Sequence, residues 1–184
     1  MLKRIIVCTI VLCFGVGVLA DYVSDREAAM ALVKAKKDAE ALAAFVRMAE
    51  ESDLDAQKAD ALEQAAMCAH RMKNVDKAME LAKQIPIEAA SKTVQIRLLQ
   101  GNRKRQEVID RFKDEDFAAW PEKYAGEAFF IRGECYFSLK NGAAAEADLK
   151  RALQNLGMGY NRDYARLTLA HTYRRNLKDD EKAL

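Results

Sequence analysis

His70, His171, Cys68, Cys135 and two short charged runs are the residues whose types could carry chemistry. Histidine is the usual general base and metal ligand, but these two lie about a hundred residues apart, too far in sequence to form a local motif. Cys68 and His70 are two residues apart, so on a helix they point to different faces. No H-E-x-x-H, G-x-S-x-G, P-loop or dinucleotide-type glycine run occurs. Asp114, Glu115 and Asp116 are contiguous, without the alternate spacing of a calcium-binding loop, and read as solvated charge at a helix end. Arg103, Lys104 and Arg105, in GNRKRQE, read as an exposed turn, with contact to anionic lipid or nucleic acid as the lesser reading. No catalytic, cofactor-binding or metal-ligating set is expected, and the chain reads as a non-enzyme.

The cysteines lead to the N-terminus. Cys8 and Cys13 belong to an uncharged run, IIVCTIVLCFGVGVLA, that follows the basic start Met1-Leu-Lys-Arg4 and ends at Ala20 before the polar DYVSDRE. A basic start, an apolar stretch and small residues at Val18 and Ala20 have the layout of a secretory signal peptide. As a helix the stretch reaches only about 24 Å, short of a roughly 30 Å hydrocarbon core. Residues 1–20 are therefore read as a signal peptide, with Asp21 as the mature N-terminus and a retained membrane anchor as the alternative. The protein is expected to be exported, to the periplasm or outside the cell, with no stable membrane insertion after cleavage. Leu12 before Cys13 and Phe14 after it argue against lipid attachment. Beyond the leader only Cys68 and Cys135 remain, without a C-x-x-C, and both sit in apolar helical segments as small buried residues.

Composition narrows the class. The 184 residues hold 30 Lys+Arg against 28 Asp+Glu, and that surplus of two is Lys3 and Arg4. Residues 21–184 are thus neutral overall, which removes the bulk positive charge a nucleic-acid partner requires. Hydrophobic residues make up 51% of the chain, with only 2 Pro and 8 Gly, a globular and helix-favouring composition.

Periodicity supplies the architecture. In residues 59–86 the apolar positions Leu62, Ala65, Ala66 and Ala69 recur at three- and four-residue spacing. After the turn RMKN, Val75, Ala78, Met79, Ala82 and Ile85 mark a second helix that Pro86 stops. Alanine at the contact lets two helices approach closely. The same hairpin returns in residues 126–157, where Phe129, Gly133 and Tyr136 line the first helix and Ala145, Leu149, Ala152 and Leu153 the second, around the turn Asn141-Gly142.

This fourth hairpin resembles a tetratricopeptide repeat, a roughly 34-residue helix–turn–helix unit. The large, small, aromatic, small, apolar and small residues of its signature are held by Phe129, Gly133, Tyr136, Ala145, Leu149 and Ala152. Arg132 departs from it, standing where leucine is usual, and implies a less deeply packed face. Weaker matches fall at Ala41 and Phe45, at Ala66 and Ala78, at Val108 and Phe112, and at Ala170 and Tyr173. The anchors Ala41, Ala78, Val108, Ala145 and Ala183 are spaced by 37, 30, 37 and 38 residues. The expected fold is all-α: residues 21–184 as about four and a half antiparallel helical hairpins, stacked as a short tetratricopeptide-like solenoid. The fifth hairpin is expected to be unfinished at its second helix. Trp120, kept out of helical geometry by Pro121, is expected to wedge between the third and fourth hairpins.

The resemblance implies that first helices line a concave groove. It places Met67, His70, Arg97, Gln100, Phe130, Glu134, Phe137, Tyr164, His171 and Arg174 there. Phe130 and Phe137 lie two turns apart on one helix, and Arg97 and Arg174 would bias the groove towards acidic segments. The expected function is a non-catalytic protein- or peptide-binding scaffold of the bacterial cell envelope, with no cofactor. The alternative is a structural subunit that holds a complex through its lateral or C-terminal surfaces.

Overall fold

A computed structural model describes residues 21–183. The leader, and with it the choice of Asp21 as mature N-terminus, lies outside them. The described chain is all-helical and without strands, as the periodicity predicts, and its helices pack as antiparallel neighbours in a helical-repeat arrangement. It divides into two compact units, one ending at Ile87 and the other beginning at Glu88.

The first unit contains α1 (residues 21–34), α2 (Asp38–Glu51), α3 (Asp55–Arg71) and α4 (Val75–Lys83). Its core is built largely from alanine: Ala41, Ala61, Ala65, Ala66, Ala69, Ala78 and Ala82 are fully buried around Phe45 and Leu81. Small side chains at the seams let the backbones close on one another without voids. Polar contacts reinforce the packing from its edges. Arg26 reaches across from α1 to α3, with Nε 2.6 Å and Nη2 3.1 Å from the Asp60 carboxylate, and Tyr22 Oη lies 2.9 Å from the same group. Asp38, at the start of α2, accepts from Arg71 Nε at the end of α3 at 2.7 Å.

The second unit contains α5 (Glu88–Gly101), α6 (Arg105–Phe112), a 3-10 turn (Phe117–Ala119), α7 (Glu122–Ser138), α8 (Gly142–Asn155) and α9 (Tyr160–His171), which runs into a π-helical turn, Thr172–Leu177. The α7–α8 hairpin packs as its sequence predicts. Gly133 sits directly against Leu149, so closely that a Cβ there would lie 2.9 Å from Leu149 Cγ. Ala145, Leu149 and Ala152 are fully buried. Cys135 here and Cys68 in the first unit are both free and buried.

Within the hairpins one turn recurs. Lys36, Lys73, Arg103, Lys140 and Lys178 all adopt left-handed backbone geometry, with φ between 59° and 63°. In the first four, the amide of the next residue bonds back five residues, as from Asn74 to the Ala69 carbonyl at 3.0 Å and from Asn141 to the Tyr136 carbonyl at 2.9 Å. This is the Schellman closure of a helix, which glycine or asparagine ordinarily supplies. Asn74 and Asn141 then cap the following helices, accepting from Lys77 N and Ala144 N. The residue five positions beyond the left-handed one is Ala41, Ala78, Val108 or Ala145, each fully buried. At the fifth turn the π geometry widens the closure by one residue, from Asp179 N to Tyr173 O. Ala183, the fifth anchor, lies in a turn rather than a helix.

Two packing expectations change. Arg132 is not on a loosely packed face: it is only 6% exposed. Its guanidinium meets Asp148 fork to fork, at 2.6 and 2.9 Å. Nη1 donates to the Phe112 carbonyl at 2.7 Å and the Glu115 carbonyl at 3.1 Å, and the group lies 4.2 Å from the Phe117 ring centroid. The residue buried in the joint before α7 is Phe117, edge-on to Phe129 at 5.3 Å. Trp120 is extended, as the following proline requires, and half-buried against Phe117 at 4.6 Å.

Candidate functional site

The ten sequence-selected residues divide between the two units. Met67 and His70 lie half-buried on α3 of the first. His70 Nδ1 is buried and has no hydrogen-bond partner among the described residues. The other eight belong to the second unit, on α5, α7, α9 and the π-helical turn.

There, α5 and α7 are joined by polar rungs. Arg97 Nε and Nη2 each lie 2.8 Å from an oxygen of Glu127, and Gln100 Nε2 donates to Glu134 Oε2 at 2.7 Å. Both rungs advance the same way along both helices, so α5 and α7 run parallel, as first helices of successive hairpins do. The rung partners are 30 and 34 residues apart; Arg26 with Asp60 and Arg71 with Asp38, in the first unit, are 34 and 33 apart. Opposite polarity one repeat length away is the signal by which such pairs can be found in a sequence.

Phe130 is 7% exposed, and its ring meets Tyr164 of α9 edge-on at 5.9 Å. Phe137, seven residues on, is half-buried, as is His171. Tyr164 and Leu167, one step apart on α9, are 40% and 50% exposed. Arg174 is largely exposed, with a 3.9 Å approach to Asp180. The apolar part of this face thus runs from a covered Phe130 to an open Tyr164 and Leu167. Arg97 is engaged by Glu127, which leaves Arg174 as the more open cation of the pair expected to favour acidic segments.

Electrostatically the distinctive group is Glu134. Burial pushes its carboxyl up to about 7, against the opposing pull of Arg105 and of the Gln100 hydrogen bond. It therefore exchanges a proton near neutrality. Burial also pushes the neighbouring Cys135 thiol up to about 12, so it is not a thiolate at physiological pH. Among the described residues, no three His, Cys, Asp or Glu side chains are grouped to hold a metal ion, and no helix is long and apolar enough to cross a membrane. What the face offers is shape, exposed apolar surface and hydrogen bonding. Leu167, at i+3 from Tyr164, lies on the same helix face, as the repeat register of the last hairpin expects. No protein-family model matches this chain, and no curated protein or solved structure matches it significantly.

Proposed function

We propose that this protein is a non-catalytic, exported helical-repeat scaffold of tetratricopeptide type that binds another protein or a peptide on the first-helix face of its second unit. The observation that carries the reading is the exposure of Tyr164 and Leu167 on one face of α9, beside the Phe130–Phe137 side of α7. Large apolar side chains exposed together, next to rigid aromatic surface, are the material of binding hot spots. The tetratricopeptide assignment is supported by the contact of Gly133 with Leu149 and by the recurrence of one turn geometry in four hairpins, with a widened form at the fifth turn. Export rests on the leader sequence alone, and the partner is accordingly sought in the cell envelope.

A second reading, a structural subunit without a peptide groove, draws support from one fact: Phe130 is covered by Tyr164, so part of the apolar face is already closed within the unit. Affinity capture from the envelope fraction of the native host separates the two. Wild type and Tyr164→Ser/Leu167→Ser serve as baits. A partner held by wild type and lost by the variant supports the groove; equal recovery with both removes it in favour of the structural reading.

A further inference from the structure

The first helices of the second unit end on the same side. The α5–α7 rungs fix those two as parallel. Phe130 meets Tyr164 midway along α7 and α9, and farther along both, Asn176 Nδ2 donates to the Phe137 carbonyl at 3.0 Å. The turns that follow these helices therefore share one end of the unit, and each carries its left-handed residue there: Arg103, Lys140 and Lys178. The other end holds Asp114, Glu115 and Asp116 in the connection before α7 and Glu122 at the start of α7, together with Lys113 and Lys123. Asp179, Asp180 and Glu181 follow Lys178 at the first end, where Asp179 pairs with Lys182 and Asp180 approaches Arg174, so both ends are mixed and what distinguishes the first is its unpaired cations.

Several cations at this end are uncommitted, among them Arg103, Lys140 and Arg175. Among the described residues no carboxylate lies within ion-pair distance of Arg103, Lys140 or Arg175, whereas Lys104 beside them pairs with Glu107 at 3.1 Å. Lys140 and Arg175 line one open hollow with Phe137, Ser138 and Asn176. Leu139, immediately before Lys140, is 41% exposed. The first unit repeats the pattern independently: Met72, 45% exposed, precedes left-handed Lys73. A cation after a helix C-terminus interacts favourably with the helix dipole, which accounts for the charge. It does not account for the exposed apolar neighbour, nor for Arg175 lining the same hollow as Lys140.

We propose that this end of the second unit docks on the surface of an anionic lipid bilayer. Arg103, Lys140 and Arg175 lie at the level of the lipid phosphates, and Leu139 enters the boundary of the acyl region. An apolar tip flanked by cations matches that interface chemically: the cations are drawn by the negative surface potential, and their aliphatic stems follow the apolar side chain inwards. A nucleic acid would satisfy the cations but give Leu139 no role. The surface borders the first-helix face at Phe137 but does not include Tyr164 or Leu167, so docking this way does not cover those two side chains.

The test is cosedimentation of the protein, as recovered from an exporting host, with vesicles of phosphatidylcholine alone or with about 30 mol% phosphatidylglycerol, at low and high salt. The informative variant is Arg103→Gly/Lys140→Gly, which removes two cations while supplying the residue that left-handed turns prefer, and a thermal melt run alongside separates lost binding from lost structure. Wild type should prefer the anionic vesicles roughly tenfold and lose that preference in high salt. The double glycine variant should lose roughly tenfold in binding and Leu139→Ser about threefold, while Lys123→Ala, at the opposite end, should be unchanged. No preference for anionic vesicles, full binding by the double glycine variant, or an equal loss with Lys123→Ala would overturn the proposal. So would binding to a single-stranded oligonucleotide in place of vesicles.

Discussion

Arg132 and Asp148 meet fork to fork in the interior of the second unit, with both side chains 7% exposed. The contact joins α7 to α8, and the remaining guanidinium nitrogen donates to two carbonyls, that of Phe112 at the end of α6 and that of Glu115 in the connection before α7. One side chain thus fastens three parts of the unit.

Removing one partner leaves the other charge buried and unpaired. Asp148→Ala should therefore lower stability by about 3–5 kcal/mol, and Arg132→Met by a similar amount, because two carbonyls lose their donor as well. The double variant Arg132→Met/Asp148→Leu should be less destabilised than the sum of the two, since no lone charge remains. Urea denaturation of the cycle measures this. Additive losses would show that the two residues do not act as a pair.

The close approach of α7 and α8 gives a steric prediction. Gly133→Ala places a methyl 2.9 Å from Leu149 Cγ inside a filled core, and Ala145→Leu adds bulk to a fully buried seam. Each should cost roughly 1–3 kcal/mol. Gly157→Ala, which meets nothing within 4 Å, should be neutral or slightly stabilising. Denaturant midpoints for the three variants, at constant slope, decide the matter.

Left-handed lysines make an opposite-sign prediction. Lys140 holds φ at 63°, where an L side chain is strained and glycine is not. Lys140→Gly should raise stability by about 0.5–1 kcal/mol, less whatever the lysine contributes at the helix C-terminus. A thermal melt that moved down would mean that the charge contributes more than the backbone strain costs.

Glu134 links stability to pH. Its carboxyl is raised from 4.5 to about 7 by burial, so between those values the folded chain keeps a proton that the unfolded chain has released. Unfolding then releases a proton, and stability falls as pH rises through this window. Glu134→Gln removes that dependence and should gain more over wild type at about pH 8 than at about pH 5. Denaturation at the two pH values reads the difference directly.

Much of this fold was legible in the sequence because small residues at three- and four-residue spacing report helix seams directly; Gly133, Ala145, Leu149 and Ala152 all occupy the places their pattern assigned. Arg132 was misread because residue type alone marks arginine as surface. Its burial depends on an acidic partner sixteen residues away and on two free carbonyls, which no local pattern encodes. The turns were located, at RMKN and Asn141-Gly142, but their left-handed closure was hidden for a related reason: a left-handed residue is normally announced by glycine, and here it is lysine or arginine. Within the candidate site, the face of α7 was read correctly as one side of a helix, but Phe130 is covered by a neighbouring helix and Arg97 is taken up by Glu127. Phe130→Ala should consequently act on stability, by about 3–5 kcal/mol, so it is a poor probe of binding.

The central claim, that the first-helix face of the second unit binds a protein partner, is tested most directly by calorimetric titration of the captured partner into wild type and Tyr164→Ser/Leu167→Ser, with thermal melts alongside. The account predicts a loss of more than about 2 kcal/mol in binding, the scale of a hot spot, with both proteins folded and the variant melting lower only by what the edge contact of Tyr164 with Phe130 contributes. Equal affinity for wild type and variant, with both proteins folded, would contradict it.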